Sequence, residues 1–547
     1  MDDDHFGLIP RPDGQLVGKP LDQLPAIRRV TSEVLAHVQR PPVQQKRVRI
    51  AGFDLCAPDA ELITVWASAI HVSPDDLLTH LTRTSLNTDD GYLLGFDAEV
   101  VDFEILDGEL RSLVWDLDRF PCFPDLWVSG LKLQKFAVWT SKGVNAELTL
   151  APSAPDLTEL WVWGLPNADF PRSKEPSLLK SLSLSGLPGL RRLTCVDFVI
   201  TGLDLSAAKG LQKLEFCNNQ LTTLDLSAVP GLTELRCREN QVTALDLSGV
   251  PDLQRLDCSA NQLAELDLSS VTGLIELRCA ENRLAALDLS PIVDLEKLFC
   301  GNNQITKIDL SFVSGLEALW CSHNQLVELD LSAIPSLDTL WCSANHLTDL
   351  DLSPVPHLRY LNCDANQLTE LDLSAVPGLE RLGCRMNHLT DLDLSPVPNL
   401  CSLHCGENQL TELDLSAVPN LVGLGCQKNH LTELDLSFVP NLIRLHCEGN
   451  QLSELNLSAV PHMRLLWCGN NQITELDLSA VSHLRKLDCW KNELTELDLS
   501  SLAHLHELNC NDNKIAELDL PAALTVLCCD RAVVLHNEPQ KLSVARR

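Results

Sequence analysis

A phrase of 21 residues, typified by GLTELRCRENQVTALDLSGVP beginning at Gly231, recurs without a gap from Gly189 to Leu524 as 16 consecutive units. Self-similarity at a short fixed period, with leucine at fixed offsets, restricts the chain to a solenoid in which each unit is one coil stacked on the next. Numbering a unit from Gly231 as position 1, position 7 is Cys in 15 of the 16 units, with Phe216 the exception. Position 10 is Asn in 15, Phe198 excepted, and position 16 is Asp in 15, Asn456 excepted. In a stack each position rests on its equivalent in the neighbouring coil, so a residue type that suits the row suits it everywhere.

Each unit carries two short apolar alternations, Leu235-x-Cys237 and Leu245-Asp246-Leu247. Side chains of an extended chain alternate between faces, so Leu235, Cys237, Leu245 and Leu247 point inward while Glu234, Arg236, Arg238 and Asp246 point outward. Two strands per coil follow, and stacked coils are expected to form two parallel sheets on opposite walls, about 4.8 Å from coil to coil.

LTELRCRENQV followed by TALDLS resembles the leucine-rich repeat family, in the bacterial nested variety of 21 residues known as the IRREKO type. That resemblance covers about two thirds of the chain; it implies a mainly β solenoid and a surface that recognises a partner protein, as in bacterial effectors, adhesins, regulators and defence proteins. Cysteine in place of leucine at position 7 departs from the family pattern and thins the inner row.

The organisation expected along the chain is a small helical (α+β) N-terminal cap over 1–95, degenerate leading repeats over 96–188, the sixteen regular units over 189–524, and a closing cap and tail over 525–547. Helical spacing marks 21–40, 59–70 and 73–85, and KRVRIAGF at 46–53 alternates as a strand. The order strand, helix, helix over 46–85 resembles ribbon-helix-helix DNA-binding domains. That resemblance implies an alternative, a DNA-linked transcriptional regulator with the solenoid as sensor, in which Arg47 and Arg49 would contact the duplex. Trp115, Trp127, Trp139, Trp161 and Trp163 in the leading repeats are expected as packing rings.

Catalytic signatures are missing: the sequence has no P-loop, no dinucleotide-binding glycine pattern, no His-Glu-x-x-His and no Gly-x-Ser-x-Gly. His404 and His446 share position 6 but sit two coils apart, too far to hold one zinc ion. The chain is therefore expected to be non-enzymatic, with no cofactor and no metal. No apolar run reaches membrane-spanning length and no Sec signal opens the sequence. The 21 cysteines, mostly in one inward row, are expected as small reduced hydrophobes of a cytoplasmic protein, with export by a Sec-independent route left open.

Two outward rows carry information. The first is acidic: Asp330, Asp351, Asp372, Asp393, Asp414 and Asp435 at position 16 are joined at position 14 by Glu328, Glu370, Glu412 and Glu433, and the chain's net charge is −33. Such a wall fits a partner with a basic surface, and mutual repulsion is expected to raise the carboxylate pKa values. The second is position 6, which varies while the scaffold rows do not. It places Phe299, Trp320 and Trp341 on successive coils with Tyr360 beside them at position 4, and adds His404, His446 and Trp467 farther along. Exposed rings in register form an apolar patch suited to a partner protein.

Overall fold

The computed structural model describes residues 156–164, 182–185 and 187–546, together with the strands Arg47–Ile50, Phe53–Cys56, Glu104–Leu106, Glu109–Asp116, Lys135–Thr140 and Leu148–Thr149. The expected helices at 21–40, 59–70 and 73–85 lie outside the described residues. The strand expected at 46–53 is a hairpin: Arg47–Ile50 runs antiparallel to Phe53–Cys56, with Ile50 opposite Phe53 and Arg47 opposite Cys56. Its ladder partner is thus its own chain, whereas a ribbon-helix-helix strand pairs with a second copy. The ribbon-helix-helix resemblance gains no support.

The chain divides into two compact units. In the first, Glu109–Asp116, Lys135–Thr140 and Glu159–Gly164 pair in parallel, Ser112 facing Lys135 and Lys135 facing Glu159, which are steps of 23 and 24 residues. Leu160, Trp161 and Val162 are buried, so Trp161 packs inside.

The second unit contains Arg191–Arg547 and is a parallel solenoid. One three-residue strand per coil, at positions 4 to 6, pairs with the same positions of the next coil, as Leu235 does with Leu256. The step stays at 21 residues until Leu508 pairs with Leu527, 19 residues on, and Val526–Cys529 then pairs with Ser543–Arg546. Inside, the rows of Leu235, Cys237, Leu245, Leu247 and Val250 and their equivalents form a continuous apolar core. The 19 cysteines from Cys195 to Cys529 are unbridged, and burial pushes thiols of the position 7 row, Cys300 and Cys405 among them, up to about 12.

The second parallel sheet does not form along the array. The burial pattern is as expected, with Leu245 and Leu247 inside and Asp246 exposed, but the Leu-Asp-Leu segments have no strand pairing. The residues that follow them form tight local turns. Asp246 Oδ1 accepts the Ser248 N–H at 2.9 Å, Val250 N–H bonds Leu247 O at 3.1 Å, and Leu253 N–H bonds Val250 O at 3.2 Å. The Asp-x-Ser sequence thus turns the chain before a ladder can extend. Within residues 191–546 this wall carries strands only at its end, where Glu517–Asp519 pairs with Val534–His536.

Between the two walls the chain turns through position 9, where all residues from Asp197 to Asp512 have φ between 49° and 70°. Only one of these is glycine, Gly449, so the others hold a left-handed conformation that costs an L-residue roughly 1–2 kcal/mol. The asparagine that follows offsets this cost. Asn345 donates to Cys321 O at 3.1 Å in the preceding coil and to Cys342 O at 3.0 Å in its own, and accepts the Leu326 N–H at 3.0 Å. The same set recurs at almost every asparagine of the row, a buried spine that ties each coil to its neighbour.

Candidate protein-interaction face

Positions 4, 6 and 8 project from the strand wall, and in-register pairing sets equivalent side chains side by side. Phe299 faces Trp320, and Trp320 faces Trp341. The Phe299 and Trp320 rings stack with centroids 4.0 Å apart and planes within 6°. Trp341 follows at 6.2 Å, tilted by 58°, and the Arg278 guanidinium caps the other end, 4.3 Å above Phe299. The rings expected as exposed are half-buried, because coil spacing is close to ring-stacking distance and each ring covers the next. What the ladder offers a partner is a row of ring edges and the tilted Trp341.

Tyr360 belongs to a polar cluster beside this ladder. Its hydroxyl donates to Glu380 at 3.1 Å, and Arg359 and Arg381 lie 5.3 and 5.6 Å from its ring centre. Burial and the Glu380 carboxylate hold its phenol above the ordinary value. His446 and Trp467 form a second stack, 3.8 Å apart and 18° from parallel, with Lys486 Nζ 5.5 Å from the Trp467 ring. His404 joins neither group: Gly383 and Gly425 flank it in its row, and burial together with Arg385 lowers its pKa. Six of the seven predicted residues thus fall into two stacks and one polar cluster, and His404 stands between two glycines of its row.

Position 8 holds residues that the sequence reading passed over. Gln427 and Gly406 interlock, since a Cβ on Gly406 would meet the Gln427 side chain at 2.5 Å; Trp490 lies against Gly469 in the same way, at 2.2 Å. Burial raises Asp364 to about 6 and Glu448 to about 7. The available signal was the variability of position 8, as informative as that of position 6.

On the opposite wall Asp330, Asp351, Asp372, Asp393, Asp414 and Asp435 are exposed, and each accepts the N–H of the serine two residues on at 2.8–2.9 Å. These serines, through hydroxyl and backbone N–H, hold Asp330, Asp351, Asp372, Asp414 and Asp435 below the usual carboxylate value. The expected upward shift is reversed, because a bonded donor at under 3 Å outweighs a like charge across open water. Glu328, Glu370, Glu412 and Glu433 are exposed, and Glu328 pairs with Lys307 at 3.0 Å. A shallow groove on this wall is lined by Glu412, Asp414, Glu433, Asp435 and Phe438. Among the described residues no group of three His, Cys, Asp or Glu side chains converges on a metal position, and no helix is long and apolar enough to cross a membrane.

A profile of leucine-rich repeats in two copies matches residues 482–522. The functional domain of InlJ from Listeria monocytogenes, a structure that includes a cysteine ladder, is 36% identical over 55% of this chain and 68% of its own, with a TM-score of 0.52. YopM from Yersinia enterocolitica is 30% identical over 76% of this chain and 87% of its own, with a TM-score of 0.61. The chain belongs to the leucine-rich repeat family. No curated protein matches it by sequence. As a leucine-rich repeat protein it carries a cysteine row at position 7, and its near-invariant Asn and Asp rows set the scaffold on which the variable positions stand.

Proposed function

We propose that this leucine-rich repeat protein is a non-enzymatic interaction module that holds a partner protein against its strand wall. The observation that carries this is the Arg278–Phe299–Trp320–Trp341 ladder, large rings on a varying row of an otherwise invariant scaffold. Such rings supply much contact area at small entropic cost and are typical anchors. The acidic opposite wall suits a partner with a basic surface. Buried, unbridged thiols suit a reducing compartment, so we place the protein in a bacterial cytoplasm as a regulator, defence component or effector. The DNA-linked alternative gains no support from the Arg47–Ile50 strand, which pairs within the chain.

The test uses the partner captured from the native host by the intact chain. Trp320→Ala combined with Trp341→Ala is expected to weaken that complex by about 2 kcal/mol or more, roughly 30-fold. An equal change on the acidic wall, Asp351→Asn with Asp372→Asn, is expected to alter mainly the salt dependence of binding. Unchanged affinity in the tryptophan pair, with the fold intact by circular dichroism, would refute the proposal.

A further inference from the structure

Positions 1 and 3 open each coil on either side of a buried residue, and on three successive coils near the end of the array both are arginine or histidine. The phrases are His462-Met463-Arg464, His483-Leu484-Arg485 and His504-Leu505-His506, with Met463, Leu484 and Leu505 inside and the six others exposed. Backbone bonds set the position 3 residues side by side: the Arg485 N–H bonds Arg464 O and the His506 N–H bonds Arg485 O, both at 2.8 Å. The His483 and His504 rings lie 6.3 Å apart and 21° from parallel, and His506 Nδ1 bonds Ala523 O at 3.1 Å. The six side chains form a grid three coils wide, about 10 Å across at the coil spacing of a sheet.

The charge of this grid goes unanswered. The same phrase occurs at His357-Leu358-Arg359, and there Arg359 meets Asp338 at 2.5 Å and Glu380 at 3.6 Å, the position 3 residues of the coils on either side. In the equivalent places around Arg464 and Arg485 stand Ile443 and His506, and among the described residues neither guanidinium has an acidic partner. Asn441 on one side, and Ala523 and Thr525 on the other, border the grid and bring no carboxylate. On the strand wall of these coils the carboxylates are already held, Glu507 by Lys486 at 2.9 Å and Asp488 by Asn509 at 3.1 and 3.2 Å. The chain carries 75 Asp and Glu against 42 Lys and Arg and neutralises Arg359 from both sides, so an adjacent guanidinium pair left to repel itself points to an anion from outside.

We propose that this grid binds a phosphomonoester dianion, gripped by Arg464 and Arg485, with His462, His483 and His504 adding N–H donors at its rim. Each guanidinium presents a planar fork that matches two phosphate oxygens. A phosphomonoester spreads about two negative charges over three terminal oxygens at neutral pH, enough acceptors for both forks, where a single carboxylate fills one. A compact anion suits the grid better than a long polyanion, which would run past its width of about 10 Å onto Glu507, Asp488 and the rest of an acidic surface. The phosphate group can come from a phosphorylated protein side chain or from free phosphate, and the site does not depend on the ring ladder at Trp320 and Trp341.

The test titrates N-acetyl-O-phospho-L-serine amide into the intact, 15N-labelled protein in phosphate-free buffer of low ionic strength. The side-chain Nε–H signals of Arg464, Arg485 and Arg359 are followed, each assigned by its Arg→Gln variant. Saturable shifts at Arg464 and Arg485, with a dissociation constant of about 10 mM or below and Arg359 unmoved, are expected. Arg464→Gln combined with Arg485→Gln is expected to weaken binding at least about tenfold, and Arg359→Gln to leave it unchanged. Tighter binding of the phosphoserine probe than of inorganic phosphate would assign the group to a protein side chain, and equal or tighter binding of inorganic phosphate would assign it to the free anion. No saturable shift, an equal response to N-acetyl-L-serine amide, or undiminished binding in the double variant would overturn the proposal. Equal affinity for N-acetyl-L-glutamate amide would overturn the choice of phosphate, and tighter binding of a short oligothymidylate would overturn the compact ligand. All three arginines are exposed, and if the double variant fails to fold, the contrast of Arg359 with Arg464 and Arg485 on the unaltered protein still decides.

Discussion

Asn345→Ala is expected to open the solenoid locally, and its size follows from three of its four hydrogen bonds; the fourth, to Ser343 O at 3.3 Å, leaves that carbonyl with the His323 N–H at 2.8 Å. Asn345 is buried, its Oδ1 accepts the Leu326 N–H at 3.0 Å, and its amide donates to Cys321 O and Cys342 O at 3.1 and 3.0 Å. The two carbonyls keep a second donor each, Asn324 for Cys321 and Asn366 for Cys342, both at 3.1 Å. The Leu326 N–H keeps none among the described residues. An orphaned buried donor costs about 1–3 kcal/mol, and each weakened carbonyl about 0.5–1 kcal/mol, so the sum is about 3 kcal/mol. Hydrogen exchange at the Leu326 amide should accelerate about 100-fold at that cost. Urea unfolding should lose a similar free energy, while Gln325→Ala, exposed on the same coil, should change neither. A loss below about 1 kcal/mol with the Leu326 amide still protected would refute the spine as the tie between coils.

Ala344 holds φ 52°, so Ala344→Val should lower the urea midpoint by the equivalent of about 1–2 kcal/mol, whereas Ala344→Gly should stay within about 0.5 kcal/mol. Among the cysteines from Cys195 to Cys529, native thiol titration should modify the half-buried Cys401 and Cys528 first, and the position 7 row only on unfolding, because burial pushes Cys300 and Cys405 to about 12. Asp330 and Asp351, lowered from 3.8 in the fold, contribute stability that is complete at neutral pH and lost only as pH falls below that value. Glu448, raised from 4.5 to about 7, binds its proton first in the folded state, so its contribution grows as pH falls from 8 to 5 and then levels off. Asp364, raised to about 6, acts in the same direction, while the lowered His404 opposes them. Glu448→Gln should therefore be more stable relative to the unaltered protein at pH 8 than at pH 5, and an equal difference at both would contradict the assignment.

The fold was legible because the scaffold repeats: a Leu, Cys or Asn that recurs every 21 residues announces a stacked row, and the Leu and Cys rows are buried as their alternation indicated. Alternation fixes which way a side chain faces but not whether a backbone finds a ladder partner. Leu245 and Leu247 therefore read as a strand although Asp246 and Ser248 turn the chain locally. The same Asp–Ser contact reversed the expected pKa shift, since charge counting along a row sees the like-charged neighbour and misses the donor two residues on. The ring ladder was legible as adjacency at position 6, but its half-burial was not, because ring spacing depends on how Trp341 tilts against Trp320. Glu448 and Trp490 escaped notice because their meaning comes from contacts between rows, Trp490 with Gly469 above all.

The most direct measurement of where the partner sits is hydroxyl-radical footprinting of the intact chain with and without it. Protection concentrated on Phe299, Trp320 and Trp341, with Phe312 and Phe438 on other surfaces unchanged, is the expected result. Protection of Phe438 and the acidic groove beside it, with Trp320 and Trp341 as reactive as in the free protein, would contradict recognition through the strand wall.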